Sequence, residues 1–370
     1  MLRVGIDYRP ALQNREGIGR CTRELALALG RLSTGPELRL YGSTLASVRV
    51  PHDLPEGSRL SRWRLPTRAQ RAWLGVAGGA DGFLGGVDIF HHTQYQRLPV
   101  ARAVEVATLY DVIFLDEAEL VGPDTAQTLA ARARTLAQHA TRFLVPSAYV
   151  AERVAARLEI DPAAIHVTPL GCDHFAVPAD RRPRASAPDD SYLLTVSRIE
   201  PRKNYLGMLR AFEQLVQAGL PQRWKIAGPA GHRSAEILAA IDHSPARARI
   251  DVLGEVPEAR LRQLLCGADL FFFMSLSEGF GLPPLEAMVL GVPVLASDTT
   301  SVGEVCAGGA RLVDPQDEEA VSAALCELAG DPAARAEWIV RGQRCAARFT
   351  WKRCAELTVA AFQGALPSDA

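Results

Sequence analysis

One apolar run constrains this chain more than any other stretch. From Asp269 to Met274 the residues read as a strand buried on both faces, the mark of a parallel sheet covered by helices on either side. The string Ser277-Glu278-Gly279-Phe280-Gly281-Leu282-Pro283-Pro284-Leu285-Glu286-Ala287 follows it. Its two glycines predict a tight loop. Pro283-Pro284 predicts the opening turn of a helix, where a missing N–H has no partner to lose. Strand, glycine-rich loop and helix start together form an anion cradle. Two carboxylates flank it, Glu278 in the loop and Glu286 in the helix. Acids beside an anion site make sense only if they have hydroxyls to hold. A ligand carrying both a diphosphate and sugar hydroxyls meets both demands; a solvated Glu278 and a helix-dipole Glu286 are the plainer alternative.

Strands alternate with helical patterns along the whole chain, which predicts an α/β class with parallel sheets. The first half offers strands near Leu2–Ile6, Val87–Phe90, Val104–Leu109, Phe143–Val145 and Ile165–Thr168, with helices near Gly19–Leu32, Asp124–His139 and Ser147–Leu158. The second half offers strands near Tyr192–Val196, Trp224–Ala227, Ile250–Leu253, Leu270–Met274, Val294–Ala296 and Arg311–Val313. The two halves are separated by residues 176–190, rich in proline, alanine and charge, which read as a linker. At 370 residues the chain suits two domains: 1–175 and 191–348, followed by a tail at 349–370.

Composition narrows the function. A net charge of −1 gives no argument for nucleic acid as a partner. Seven cysteines are scattered without a C-x-x-C pair, so neither a zinc site nor a disulfide frame is expected; reduced thiols and a cytoplasmic location are the simplest reading. The start, MLRVGIDYRP, reads as a strand and not as a signal peptide. No apolar stretch is long enough to span a bilayer.

A second motif, Ser197-Arg198-Ile199-Glu200-Pro201-Arg202-Lys203-Asn204, follows the strand at Tyr192–Val196. The chain has only three lysines, and one of them is Lys203. Taken with the EGFGLPPLEA string and its two glutamates, this motif resembles retaining glycosyltransferases of family 4, the group 1, mannosyltransferase-like enzymes. The resemblance implies a GT-B architecture: two Rossmann-like domains with parallel sheets facing across a cleft, and a C-terminal helix crossing back to the first domain. It implies that Arg198 and Lys203 hold the donor diphosphate, that Glu286 accepts from ribose hydroxyls, that Glu278 orients the sugar, and that the backbone N–H groups of Phe280, Gly281 and Leu282 bind phosphate or sugar. Gly228 and Gly254, each ending a strand, resemble donor-side loops; a plain turn is the commoner role for such glycines.

The first domain is expected to hold the acceptor. Gly17-Ile18-Gly19 opens its first long helix and resembles the family's N-terminal glycine loop; it lacks the third glycine of a dinucleotide fingerprint. Where many family members carry His-Asp near the transferred sugar, this chain has Tyr110-Asp111. A phenol donates a hydrogen bond but does not titrate near neutrality. His91 and His92, after Val87–Phe90, are candidates to line the cleft, or are structural. The segment 58–73 carries Arg59, Arg62, Arg64, Arg68 and Arg71 with Trp63 and Trp73. It reads either as a peripheral contact with an anionic membrane, at the inner face, or as a solvated basic loop broken by Pro66.

The expected activity is retaining, metal-independent transfer of a hexose from a nucleoside-diphosphate sugar, with GDP-mannose as lead donor, to a glycan or lipid-linked acceptor. No cofactor is expected. Two rivals remain: a nucleotide-sugar epimerase of the same architecture, and a catalytically silent nucleotide-sugar binder, suggested by Tyr110.

Overall fold

A computed structural model describes residues 1–13, 17–45, 53–76, 78–176 and 191–366. Two compact units emerge. The first comprises Met1–Asp116, Asp124–Gly171 and Thr350–Ala370; the second comprises Glu117–Pro123 and Cys172–Phe349. Residues 177–190, the greater part of the expected linker, lie outside the described residues.

The first unit is built on a seven-stranded sheet. In chain order its strands are β1 (Arg3–Asp7), β2 (Glu37–Tyr41), β3 (Arg59–Ser61), β4 (Ile89–His92), β5 (Val104–Thr108), β6 (Arg142–Val145) and β7 (Ile165–Val167). Their spatial order is β3-β2-β1-β4-β5-β6-β7, with every pairing parallel. Apolar residues on both faces explain why the central strands form where they do: Val4, Ile6, Ile89, Phe90, Val106 and Ala107 are all at most 1% exposed. Strands β2 and β3 were not among the expected ones. β3 is a three-residue edge strand in a basic stretch, and its burial pattern carries no apolar run.

The helix Trp351–Ala365 belongs to this unit. Thr350 caps it by accepting from the Arg353 N–H at 3.2 Å. Trp351 and Phe362 are buried in it, and the Phe362 ring meets His91 edge-on at 5.4 Å. Gly171 is fixed by this packing, since a Cβ there would lie 2.2 Å from the Trp351 nitrogen.

The second unit carries a six-stranded sheet: β8 (Tyr192–Val196), β9 (Arg223–Ala227), β10 (Ile250–Gly254), β11 (Leu270–Phe273), β12 (Val294–Ser297) and β13 (Arg311–Val313). The order is β10-β9-β8-β11-β12-β13, again all parallel. One core cluster is organised around Trp224, Phe212, Phe272 and Leu325, each fully buried. The Trp224 N–H is satisfied by Thr195 at 2.9 Å, which lets the indole sit in that core.

In each sheet the strand order reverses once, between β1 and β4 in the first and between β8 and β11 in the second. Ligands of open α/β sheets bind beyond the carboxyl ends of the strands at such a switch point.

Candidate active site

The two motifs of the second half sit on the two strands of its switch point. Arg198 to Asn204 follow β8; Ser275 to Gly281 follow β11. Backbone bonds tie the loops together: Leu276 N–H donates to the Arg202 carbonyl at 2.8 Å. The Ser275 hydroxyl donates to that carbonyl at 3.2 Å. Asn204 holds a positive φ of 55° and accepts from the Gly207 N–H at 3.3 Å, starting the helix Tyr205–Gln217. Asn is among the few non-glycine residues that adopt this conformation readily.

Charge is concentrated where the loops meet. Lys203 and Glu278 form an ion pair, with the side chains 9% and 12% exposed. Arg202 donates to the Glu278 carboxylate at 2.9 Å, to the Ser277 carbonyl at 2.7 Å and to Glu200 at 2.8 Å. Burial alone raises the Glu278 pKa, but the Lys203 and Arg202 charges outweigh it and hold the group at about 2. Lys203 is pulled down by burial, an effect that Glu278 offsets only in part. Glu200 thus pairs with Arg202, and Glu278 takes both Arg202 and Lys203. Arg202 was missed as a site residue, although it stands inside the motif between Glu200 and Lys203.

Arg198 is different. It is exposed, and its one side-chain bond among the described residues goes to the Ala230 carbonyl at 3.3 Å. Its stem lies over Gly231, where a Cβ would come within 2.7 Å of the Arg198 Cγ. Gly228 clamps the same region. It has φ of 150°, its N–H donates to the Gly254 carbonyl at 2.8 Å, and a Cβ would meet the Ser197 carbonyl oxygen at 1.9 Å. Gly228 thus draws the ends of β8, β9 and β10 together, a role no side chain permits.

On the other side, Gly281 takes φ of 96° and starts the helix Leu282–Val289. Phe280 is buried, its ring edge-on to Phe349 at 5.7 Å. Glu286 is 3% exposed, and the His174 Nε2 lies 3.4 Å from its carboxylate. His174 was also missed; nothing in the sequence links it to a helix more than a hundred residues away. Its carbonyl and that of Phe175 are held by Arg262 at 2.9 and 3.2 Å.

The expected residues of the first half lie in the first unit. Gly17 caps the helix Ile18–Gly30 with φ of 54°, and Gly19 is buried in its first turn. Tyr110 lies beyond β5, where its phenol meets Thr22 of that helix; burial pushes the phenol well above its ordinary pKa. The Asp111 backbone is fixed from both sides by Tyr95, whose hydroxyl donates to the carbonyl at 2.6 Å and accepts from the N–H at 3.0 Å.

His91 and His92 correct an expectation. Both are fully buried in β4 and line no open surface. His91 bonds to Thr108 at 2.7 Å, and burial lowers its pKa to about 3. His92 bonds to Glu105 at 2.8 Å, and Arg97 holds the same carboxylate. The reason is β4's central position: both faces of the strand are interior, so neighbouring side chains pointing opposite ways are hidden alike.

The basic segment 58–73 is not a loop. It comprises β3 and the start of a helix, Thr67–Val76, that begins just after Pro66. Trp63 and Trp73 pack on each other at 3.9 Å and both meet Phe83, while Arg59, Arg64 and Arg68 remain exposed. Among the described residues, no helix is long and apolar enough to cross a membrane. No group of three His, Cys, Asp or Glu residues comes together to hold a metal ion among them either.

Comparison with known proteins agrees with this geometry. Residues 177–344 match the family described as Glycosyl transferases group 1. The O-antigen chain mannosyltransferase B of Escherichia coli is 27% identical over 285 residues, 75% of this chain and 74% of that protein. Sucrose-phosphate synthase from Thermosynechococcus elongatus shares the fold at a TM-score of 0.78 and 16% identity, covering 98% of this chain and 99% of that one. Anabaena HepE, solved in complex with UDP and glucose, shares it at 0.71 and 16% identity over 99% of this chain and 100% of its own. Residues 177–344 thus match the group 1 glycosyltransferase family, and the chain shares the GT-B fold of the solved structures it resembles.

Proposed function

We propose that this glycosyltransferase moves a mannosyl group, with retention of configuration and without a metal, from GDP-mannose to a glycan or lipid-linked acceptor in polysaccharide or glycolipid synthesis. The observation that carries the reading is the meeting of the Arg198–Asn204 loop and the Glu278–Gly281 loop at the switch point between β8 and β11. The mannosyltransferase relative supports the sugar.

Transfer breaks the bond between the sugar C1 and the diphosphate oxygen and forms one from C1 to an acceptor oxygen. The leaving group gathers negative charge as it departs, and preorganised cations and N–H groups lower that barrier. Arg198 suits the task, since most of its donors are uncommitted. Lys203 adds a second positive charge, held in place by Glu278. The N–H groups of Phe280, Gly281 and Leu282 stand at the helix start, where anions are favoured. Glu286 takes the ribose hydroxyls. Glu278 orients the sugar through the second lone pairs of its two oxygens, one held by Lys203 and the other by Arg202. The acceptor proton passes to the departing phosphate oxygen on the same face, so no titrating base is needed at Tyr110.

Incubation with a panel of nucleoside-diphosphate sugars, read by mass spectrometry, tests the reading. Slow hydrolysis of GDP-mannose without acceptor, and an α product from an α donor by NMR, are expected. An isomeric nucleotide sugar instead indicates an epimerase. Binding with no turnover of any donor indicates a silent binder.

A further inference from the structure

A third loop, residues 298–301, holds the loop after β11. It follows β12, the next strand of the same sheet, and from it the short helix Thr300–Val305 starts. Two residues of that start grip the Glu278 backbone. The Glu278 N–H donates to the Thr300 hydroxyl at 3.2 Å, and the Ser301 hydroxyl donates to the Glu278 carbonyl at 2.8 Å. Val302, fully buried, stands at the other end of the same loop, where a Cβ on Gly281 would lie 3.2 Å from its Cγ2. Three consecutive residues thus fix both ends of the Glu278–Gly281 loop. Resting on the proposed role of Glu278 in orienting the sugar, we infer that Thr300 is a positioning residue of the transfer reaction: its hydroxyl fixes the backbone from which the Glu278 carboxylate reaches the donor.

Backbone geometry sets Thr300 apart. It has φ of 55°, and among the described residues it is the one β-branched side chain with a positive φ; the other non-glycine cases are Glu159, Asn204 and Arg233. A β-branched residue is an outlier in that region, and such a conformation persists only where its surroundings impose it. Glycine adopts the same φ without strain, yet glycine has no hydroxyl to offer the Glu278 N–H. The neighbours show how tightly the turn is drawn. The Asp298 N–H donates to the Val313 carbonyl at 2.9 Å, and a Cβ on Gly303 would meet the Asp298 carbonyl oxygen at 2.3 Å.

The grip completes the fixing of Glu278. Its carboxylate is held from the loop after β8, by Lys203 and Arg202. Its backbone is held from the loop after β12. A group that must meet a sugar in one orientation needs both ends tied, because a backbone free to shift carries the carboxylate with it. Productive geometry tolerates displacements of only about 0.5 Å, so a hydrogen bond at the root of the side chain acts directly on where its oxygens sit.

Two variants separate positioning from packing. Thr300→Gly suits the left-handed backbone and removes the hydroxyl; Thr300→Ser keeps the hydroxyl. With GDP-mannose, kcat is expected to fall by roughly 10- to 100-fold in Thr300→Gly, the upper end being the effect of a displacement of about 1 Å. GDP binding by calorimetry and the melting temperature are expected to stay close to wild type. Thr300→Ser is expected to restore turnover. Amide hydrogen exchange at Glu278 is expected to quicken in Thr300→Gly and to match the wild type in Thr300→Ser. Wild-type kcat in Thr300→Gly, or an equal fall in both variants, overturns the inference and leaves the transferase reading standing. A wild type that turns over no nucleotide sugar sinks that reading instead, and the exchange rates then still decide the grip: equal exchange at Glu278 in the wild type and Thr300→Gly overturns it.

Discussion

Lys203 donates to Glu278 across the switch point of the second sheet, joining the loop after β8 to the loop after β11. Arg202 braces the same carboxylate from the other side at 2.9 Å. The pair therefore links two motifs that lie 75 positions apart in the chain, and its charge balance sets the acid sensitivity of the site.

Glu278 titrates at about 2 in the folded protein against an ordinary value of 4.5. A carboxyl lowered on folding gives stability that is fully present above the unfolded value and is lost as pH falls toward the folded one. Thermal melts are therefore expected to show a wild-type loss of stability between pH 4.5 and about 2 that Glu278→Gln lacks. At pH 7 the Glu278→Gln protein leaves Lys203 buried without its counter-charge, and a cost of about 3–5 kcal/mol is expected from chemical denaturation. Parallel pH profiles for the two proteins count against the pair as a stabilising element.

Arg198→Ala is expected to leave the melting temperature within a degree or so of wild type, since the side chain is exposed and makes one long bond to a carbonyl. Turnover of the donor is expected to drop on the order of 10²-fold or more, the scale for losing one preorganised stabiliser of developing charge. Steady-state kinetics with GDP-mannose reads the effect, and wild-type turnover in the variant removes Arg198 from the diphosphate site.

Glu286 is buried next to His174 at 3.4 Å. Replacing it with alanine is expected to weaken nucleotide binding by about 1.5–3 kcal/mol, the range for hydrogen bonds to a charged group. Calorimetry with GDP and with its deoxyribose counterpart separates the causes. The loss is expected for GDP only if ribose hydroxyls are the partners; an equal loss for both ligands assigns Glu286 to packing.

Arg59, Arg64 and Arg68 are exposed around a tryptophan pair. Sedimentation with anionic liposomes is expected to pull down the wild type at low salt, and substitution of all three arginines by alanine is expected to abolish this, since each basic residue near such a surface contributes about 1 kcal/mol. No sedimentation of the wild type ends the membrane reading.

The α/β class was legible because the central strands are continuous apolar runs, as at Leu270–Phe273, and such runs have few other uses. β3 was not, because three residues at a sheet edge bury little and leave no pattern. The two motifs were legible as local strings of glycine, proline and charge. Which acid each base would meet was not: the meeting of Glu278 with both Lys203 and Arg202 is made by loops brought together in three dimensions. His91 and His92 misled because a polar pair after an apolar stretch looks exposed, whereas β5 supplies Thr108 and Glu105 to satisfy both inside the sheet.

The helix Trp351–Ala365 completes the hydrophobic interior of the first unit, yet it is encoded after the whole of the second. The interior of the first unit therefore cannot be closed until every residue of the second has been made, so a chain cut short after Phe349 leaves the earlier lobe without one wall.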